Sequence, residues 1–350
     1  MADKNIKKAD IIAVSKAARV SPSTVSRSFN HPDLVKPATR KKIDAAVRQL
    51  GYIRNRAAQT IHGIRSGTIG LIVPTVDQAI FAELIQSFSE AVEDLGFTIL
   101  LASHGYNLER EYALTRKMLE HRVDGIGLIG IEHSDDTYEL LAQQRIPALL
   151  LWNYVQDAPF PCVGSDNYQA GYLIGQHVAD LGHDKIAAIF PPLDGNDRAS
   201  RRMDGVVDAL NTAGRAVRSD WLLETPYSVA DAKAAVASLI AAADCPTAII
   251  CGNDVLAWGA LHALHKEGMS VPSDMTVTGI GDFNGSKDFE PSLTTVRIPA
   301  RTIGLNAADA IVQLIRTEGQ AEVGSLVETE LFKRQTSGRH PTARAELHRR

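Results

Sequence analysis

Residues 20–30, VSPSTVSRSFN, carry hydroxyls at Ser21, Ser23, Thr24 and Ser26 and one forked cation at Arg27. Short hydroxyls can hydrogen-bond phosphate oxygens without holding a backbone away from a polyanion, and a helix N-terminus adds partial positive charge. A guanidinium offers two donors that match the two acceptors of guanine in a major groove. Ser21-Pro22 reads as an N-cap followed by Pro at the first helical position, so these groups belong to a helix of about 21–29. Helical spacing turns Val25 and Phe29 to a core and leaves Ser23, Thr24, Ser26 and Arg27 on the other side. The alternative is a small helical bundle with a solvated basic face.

Other motifs carry less chemistry. GIGLIG at 125–130 matches G-x-G-x-x-G, but a nucleotide fingerprint needs its glycines in the turn after a strand, and here they lie within one. His262 and His265 are one helical turn apart and could share a metal, yet no third ligand is evident. Cys162, Cys245 and Cys251 are odd in number and lack metal spacing, which suits reduced thiols in a cytoplasmic protein. No Ser/His/Asp set or carboxylate pair stands out by spacing, so no enzyme and no cofactor are expected.

The elements that must position the hydroxyls and Arg27 follow from periodicity. ADIIAVSKAARV puts Ile11, Val14 and Ala18 on one helical face, and a third helix from Pro37 to about 50 buries Ile43, Ala46, Val47 and Leu50. Three short helices with a tight turn between the first two describe a helix-turn-helix, whose second helix enters a major groove. Residues 1–65 hold fourteen Lys and Arg against four Asp and Glu, near +10, in a chain of −4 overall, which leaves the remainder near −14. The small part should seek a polyanion and the large part should not. Asn55 can cap a helix of 56–62 ending at Gly63. A helix that short needs DNA or a partner chain to support it.

From Gly67 onward, β-branched runs alternate with amphipathic helices. The runs are TIGLIVP (68–74), FTILLAS (97–103), DGIGLIG (124–130), IPALLLW (146–152), KIAAIF (185–190), TAIICG (247–252) and MTVTGI (275–280). Such alternation predicts parallel sheets flanked by helices, here split into two lobes with a ligand at the strand ends between them. The N-terminus has no apolar signal segment, and no apolar run reaches the roughly 18–20 residues of a membrane span.

With VSPSTVSR, LGYIRNRAAQTI, VGSDNYQAG, ASRRMDGVVDAL, PTAIICGNDVLAWGAL and LTTVRIPARTIG among the ordered matches, the chain closely resembles the lactose-repressor (LacI/GalR) family of bacterial transcription regulators over about 10–338. Within it, LLASHGYNLEREYALTRKML looks most like the repressors of gluconate use. The resemblance implies an all-α helix-turn-helix headpiece plus an α/β two-lobed core like a periplasmic binding protein. The segments would be a DNA-binding domain (1–53), a hinge helix and linker (54–66), a core (67–338) and a polar tail (339–350). One lobe would take about 67–165 and 297–324, the other about 166–296 and 325–338. Partners would be palindromic operator DNA, a small-molecule effector and a second copy of the chain, with no membrane. The tail TARAELHRR has no leucine heptads, which suits a dimer rather than a tetramer.

By position, the resemblance puts Pro22, Ser23 and Arg27 at bases, and Ser21, Thr24, Ser26 and Asn30 at the DNA backbone. Asn55, Ala58 and Ile61 fall in the hinge helix, where the family inserts a leucine wedge into the minor groove and this chain has Ile61. Arg19 stands where the family has a turn glycine, and Arg54 where it has a proline.

For the effector, matching positions give Ile80, Phe81, Trp152, Arg198, Arg202, Tyr227, Asn253, Asp254 and Asp282. Arg202 matches the family's effector-binding arginine, Arg198 adds a second guanidinium, and Gly281 stands where a hydroxyl-binding Asp is common. More positive and less negative charge favours an anion such as a sugar acid. Alternatively Arg198 or Arg201 points to solvent. The expected function is an effector-responsive, sequence-specific repressor of a carbohydrate or sugar-acid operon. A transport protein of the same core would need a signal peptide and no basic headpiece; an α/β enzyme would need a nucleophile or cofactor loop.

Overall fold

A computed structural model describes residues 9–53, 65–242 and 244–340. The chain divides into two compact units, 1–66 and 67–350. In the first, α1 (Ile11–Ala18) begins at Asp10, whose carboxylate accepts the Ala13 amide, and stops at Arg19 in the left-handed region (φ 55°). The turn therefore accepts a non-glycine residue, at some conformational cost. Ser21 caps α2 (Pro22–Asn30), and α3 (Pro37–Leu50) ends on Gly51 at φ 58°. Val14, Ala18, Val25, Ile43 and Ala46 make the buried centre, with Ile11, Phe29, Val47, Leu50 and Tyr52 half-buried around it.

Among its described residues the second unit contains two six-stranded sheets. The first runs in the order β11-β5-β4-β3-β1-β2, from β1 (Thr68–Val73), β2 (Thr98–Ser103), β3 (Gly125–Ile129), β4 (Ala148–Asn153), β5 (Cys162–Ser165) and β11 (Ser325–Leu326). The second runs β12-β10-β9-β8-β6-β7, from β6 (Ile186–Phe190), β7 (Val217–Glu224), β8 (Ala248–Cys251), β9 (Thr276–Gly281), β10 (Thr294–Arg297) and β12 (Glu330–Phe332). Every pairing is parallel except β10 with β12. β5, β7, β10, β11 and β12 lack the long apolar runs that announce the others. β7, for example, is an edge strand with most of its residues exposed, so VRSDWLLE shows no clean alternation.

Helices cover both sheets: α4 (Ala79–Asp94), α5 (Leu108–Glu120), α6 (Asp135–Gln144), α7 (Asn167–Asp180), α8 (Asp197–Thr212), α9 (Val229–Ile240), α10 (Asp254–Lys266) and α11 (Ala300–Arg316). In each sheet the strand order reverses beside the first strand of the lobe, between β1 and β3 and between β6 and β8. Open α/β sheets bind ligands outside the carboxyl ends of strands at such a reversal. α7 and α8 pack closely because glycines face backbone: a Cβ on Gly171 would lie 1.9 Å from the Arg202 carbonyl oxygen, and one on Gly205 2.0 Å from that of Tyr168. That contact fixes where α8 holds its arginines.

Candidate functional site

The helical unit presents its polar groups on α2. Ser21 Oγ accepts the Thr24 amide at 3.1 Å and lies 2.8 Å from both the Ser23 and Thr24 hydroxyls. Its first duty is thus the cap, which holds Ser23 and Thr24 at the helix start. Asn30 Nδ2 donates to Ser26 Oγ at 3.3 Å. Pro22, Ser23 and Arg27 are exposed, and the Arg27 guanidinium has no hydrogen-bond or ion-pair partner among the described residues. Asn55, Ala58 and Ile61, with Arg54, lie outside the described residues.

In the second unit, the strand ends at the two reversals deliver one set of side chains to a common chamber. After β1, Gln78 precedes α4, and its first turn supplies Ile80 and Phe81; β4 supplies Trp152; α8 supplies Arg198 and Arg202; the turn after β8 supplies Asn253; and Tyr227 and Phe283 come from loops. The chamber holds about 20 Å³, room for roughly one water. It adjoins a wider vestibule of 550 Å³ lined by Tyr106, Asn196, Trp258 and prolines 191, 192 and 226, with Gln78 and Tyr227 common to both. Tyr106 and Tyr227 stack across the boundary at 6.2 Å between centroids. The Asn196 amide donates to the Tyr227 hydroxyl at 3.2 Å.

Each wall group has a physical reason for its place. Trp152 is 1% exposed, packs on Phe81 at 5.2 Å and sits at φ 82°, a left-handed backbone costly for a bulky residue. Its buried indole N–H has no partner among the described residues, which leaves a donor for a bound molecule. Arg202 is 6% exposed; its Nε donates to Asn167 Oδ1 at 2.7 Å and its Nη1 to the Gly252 carbonyl at 3.1 Å. Both acceptors are neutral, and burial pulls the guanidinium's pKa down from its ordinary value. Arg198 is equally buried, but its Nη1 pairs with Asp197 Oδ1 at 2.7 Å. Gly130, at φ 98°, makes room for it: a Cβ there would lie 2.3 Å from Arg198 Nη1. The last glycine of GIGLIG thus serves a close approach to a guanidinium.

Seven of the nine sequence-selected effector residues line the chamber: Ile80, Phe81, Trp152, Arg198, Arg202, Tyr227 and Asn253. Asp254 and Asp282 do not. Asp254 is fully buried and accepts from Ser286 Oγ (2.6 Å), Thr295 Oγ1 (2.6 Å) and the Phe283 amide (2.8 Å), binding β10 and the loop before it to the start of α10. Burial pushes its carboxyl up to about 6, against those donors. Asp282 pairs with Arg297 at 2.5 Å and Arg334 at 2.7 Å. Arg201, unlike Arg198, is half-exposed and lies over the Tyr168 ring. Sequence reasoning missed Asp197, Asn153, Asn167 and Tyr106. Asp197 and Asn153 stand beside segments already singled out, ASRRMDGVVDAL and IPALLLW, and Asn167 and Tyr106 stand within VGSDNYQAG and LLASHGYNLEREYALTRKML, but nothing local marks a partner far along the chain. Burial also raises the Cys162 and Cys251 thiols, which makes them poor nucleophiles.

Comparison with known proteins adds the following. The model of bacterial regulatory proteins of the lacI family matches residues 11–55. That of periplasmic binding proteins and the sugar-binding domain of the LacI family matches residues 66–335. The HTH-type transcriptional repressor PurR of Erwinia tasmaniensis is 29% identical over 330 residues, covering 94% of this chain and 96% of the relative. A lac repressor dimer bound to operator and the anti-inducer ONPF superposes with a TM-score of 0.83 at 25% identity, over 95% of this chain and all of that one. The transcription regulator GntR from Chromobacterium violaceum gives 0.72 at 29% identity, over 77% and 99%.

Proposed function

The chain belongs to the LacI family of bacterial regulatory proteins, and on that footing we propose that it is a homodimeric repressor whose operator affinity is set by a small carboxylate-bearing ligand, a sugar acid, held between the lobes of its core. It is a DNA-binding transcriptional regulator and not an enzyme. Arg27 reads a base in each half-site, with Ser23 and Pro22 beside it. The hydroxyls of Ser21, Thr24 and Ser26, with Asn30, meet phosphates. The hinge positions Asn55, Ala58 and Ile61 belong to the same interface.

The observation that carries the ligand reading is Arg202: a buried guanidinium whose acceptors are both neutral. Keeping a charge out of water is costly unless a counter-charge joins it, and a carboxylate supplies one with directional geometry. Arg198 contributes less than its type suggests, because Asp197 already neutralises it. Aromatic faces at Trp152, Phe81 and Tyr227 suit a sugar carbon skeleton, and the Trp152 N–H and Asn253 suit its hydroxyls. Support for a homodimer comes from the dimeric lac repressor and from an apolar groove of 790 Å³ on the second lobe. Trp258, Leu261, Met269 and Phe289 line that groove. Among the described residues no helix is long and apolar enough to cross a membrane.

Ligand occupancy would alter lobe orientation and hence DNA affinity, a coupling free energy between two sites. Calorimetry against sugars and sugar acids tests the ligand class: gluconate-like acids should bind, and Arg202→Met should abolish the response while operator binding persists. Tight binding of neutral sugars with none of acids would overturn the anion reading and leave the regulator intact.

A further inference from the structure

The Asp197–Arg198 pair is more than a local contact, because it is built into a polar chain that crosses between the two lobes. Asp197 opens α8 in the second lobe, and its Oδ2 accepts from two first-lobe donors: the Ile131 amide at 2.8 Å and Asn153 Nδ2 at 2.5 Å. Asn153 Oδ1 in turn accepts from Asn167 Nδ2 at 2.7 Å, and Asn167 Oδ1 receives Arg202 Nε. The two arginines of the chamber therefore stand at opposite ends of one network. One is balanced by an internal carboxylate and the other is not.

We infer that Asp197 sets the charge selectivity of the cleft: by cancelling Arg198 it leaves Arg202 as the one chamber cation without a paired carboxylate, so that the site takes a singly negative ligand and discriminates against doubly negative, phosphorylated ones. This rests on the reading of the cleft as an anion site. The physical argument is Coulombic. A dianion in the adjoining vestibule gains from Arg202 but feels the field of the Asp197 carboxylate held against Arg198, and like charges placed together are a means of rejecting the wrong ligand. A monoanion satisfies Arg202 and stays clear of that repulsion. Asp197 cannot leave Arg198 without surrendering its two first-lobe donors, so its charge stays fixed behind that arginine.

The test uses the full chain and three probes that step ligand charge: glucose, gluconate and glucose 6-phosphate. Asp197→Asn retains an oxygen for Ile131 and Asn153 and removes the charge facing Arg198. The ratio of the glucose 6-phosphate to the gluconate binding constant, read by calorimetry, should then rise about tenfold or more. Arg198→Gln leaves the Asp197 charge in place and should move the ratio the opposite way. Circular dichroism melting establishes that each variant is folded; if Asp197→Asn is not, the direction of the Arg198→Gln shift decides. An unchanged ratio, or equal weakening of every probe in both variants, overturns the inference and makes Asp197 a structural clamp alone. If the wild type binds only glucose, the anion reading falls. The inference, which rests on that reading, falls with it.

Discussion

Arg27 and Asp254 show how differently two charged residues can behave. Arg27 is exposed at the surface of α2 and has no partner among the described residues, so its fork is available to a base edge. Arg27→Ala should cost about 1–3 kcal/mol and relax preference at one symmetric base pair, whereas Lys41→Ala, an exposed cation on α3, should weaken all sequences alike. A binding-site selection on both variants checks this, and an Arg27 variant with wild-type preference at every position would reject the assignment. Asp254 is the reverse case, a carboxyl whose pKa burial raises from 3.8 to about 6. The folded state then holds more protons than the unfolded one between those values, so the stability that Asp254 contributes is full below them and is lost as pH rises through about 6. Two units correspond to about 3 kcal/mol. Asp254→Asn cannot titrate, so the wild-type advantage over it should shrink by about that amount between about pH 4 and pH 7 in urea melts. A constant difference would mean that Ser286, Thr295 and the Phe283 amide hold the carboxylate ionised.

At the scale of elements, the α7–α8 pair decides where the chamber's arginines stand. The helices approach closely enough that a methyl at Gly171 would overlap the Arg202 carbonyl oxygen at 1.9 Å. Gly171→Ala must therefore push α8 outward, carrying Arg202 away from Asn167 and Gly252. Overpacking of this kind costs about 1–3 kcal/mol. The expected result is a lower melting temperature for the core together with a weaker effector response. Operator binding without effector should persist. Stability loss with effector affinity intact would show that the arginines do not depend on this contact. α1 and α2 work by the same logic on a smaller scale: the Ser21 cap and the left-handed Arg19 fix the angle at which α2 leaves the turn, and so the direction in which Arg27 projects.

For the whole molecule, the charge split and the groove on the second lobe matter most. A basic segment near +10 on a chain otherwise near −14 keeps the core from competing for DNA and concentrates attraction in the helical unit. Phe289 is 46% exposed and lies against Trp258 at 5.4 Å in the apolar groove. Phe289→Glu should shift sedimentation from dimer to monomer and lower operator affinity, because a palindromic site rewards two linked headpieces. Effector binding should survive, since Phe289 does not line the chamber. A Phe289 variant that sediments as the wild type does would place the dimer contact elsewhere.

Sequence alone determined what is decided within about a dozen residues. The period of apolar positions identified the three-helix unit and the alternating core. The Ser21-Pro22 start located α2 and with it the hydroxyl cluster and Arg27. The family pattern gathered Ile80, Phe81, Trp152, Arg198, Arg202, Tyr227 and Asn253, which the fold brings to one chamber. What only tertiary structure decided is which charges remain free. Asp197 meets the Ile131 amide across 66 positions of chain, and Asp254 draws its donors from 29 to 41 positions away. Asp282 is taken by Arg297 and Arg334. A carboxylate's availability depends on donors brought to it by sheet and helix packing, and no local periodicity encodes them. The same holds for β5, β10, β11 and β12, segments of two to four residues that become strands only because an existing sheet offers them a free edge or slot.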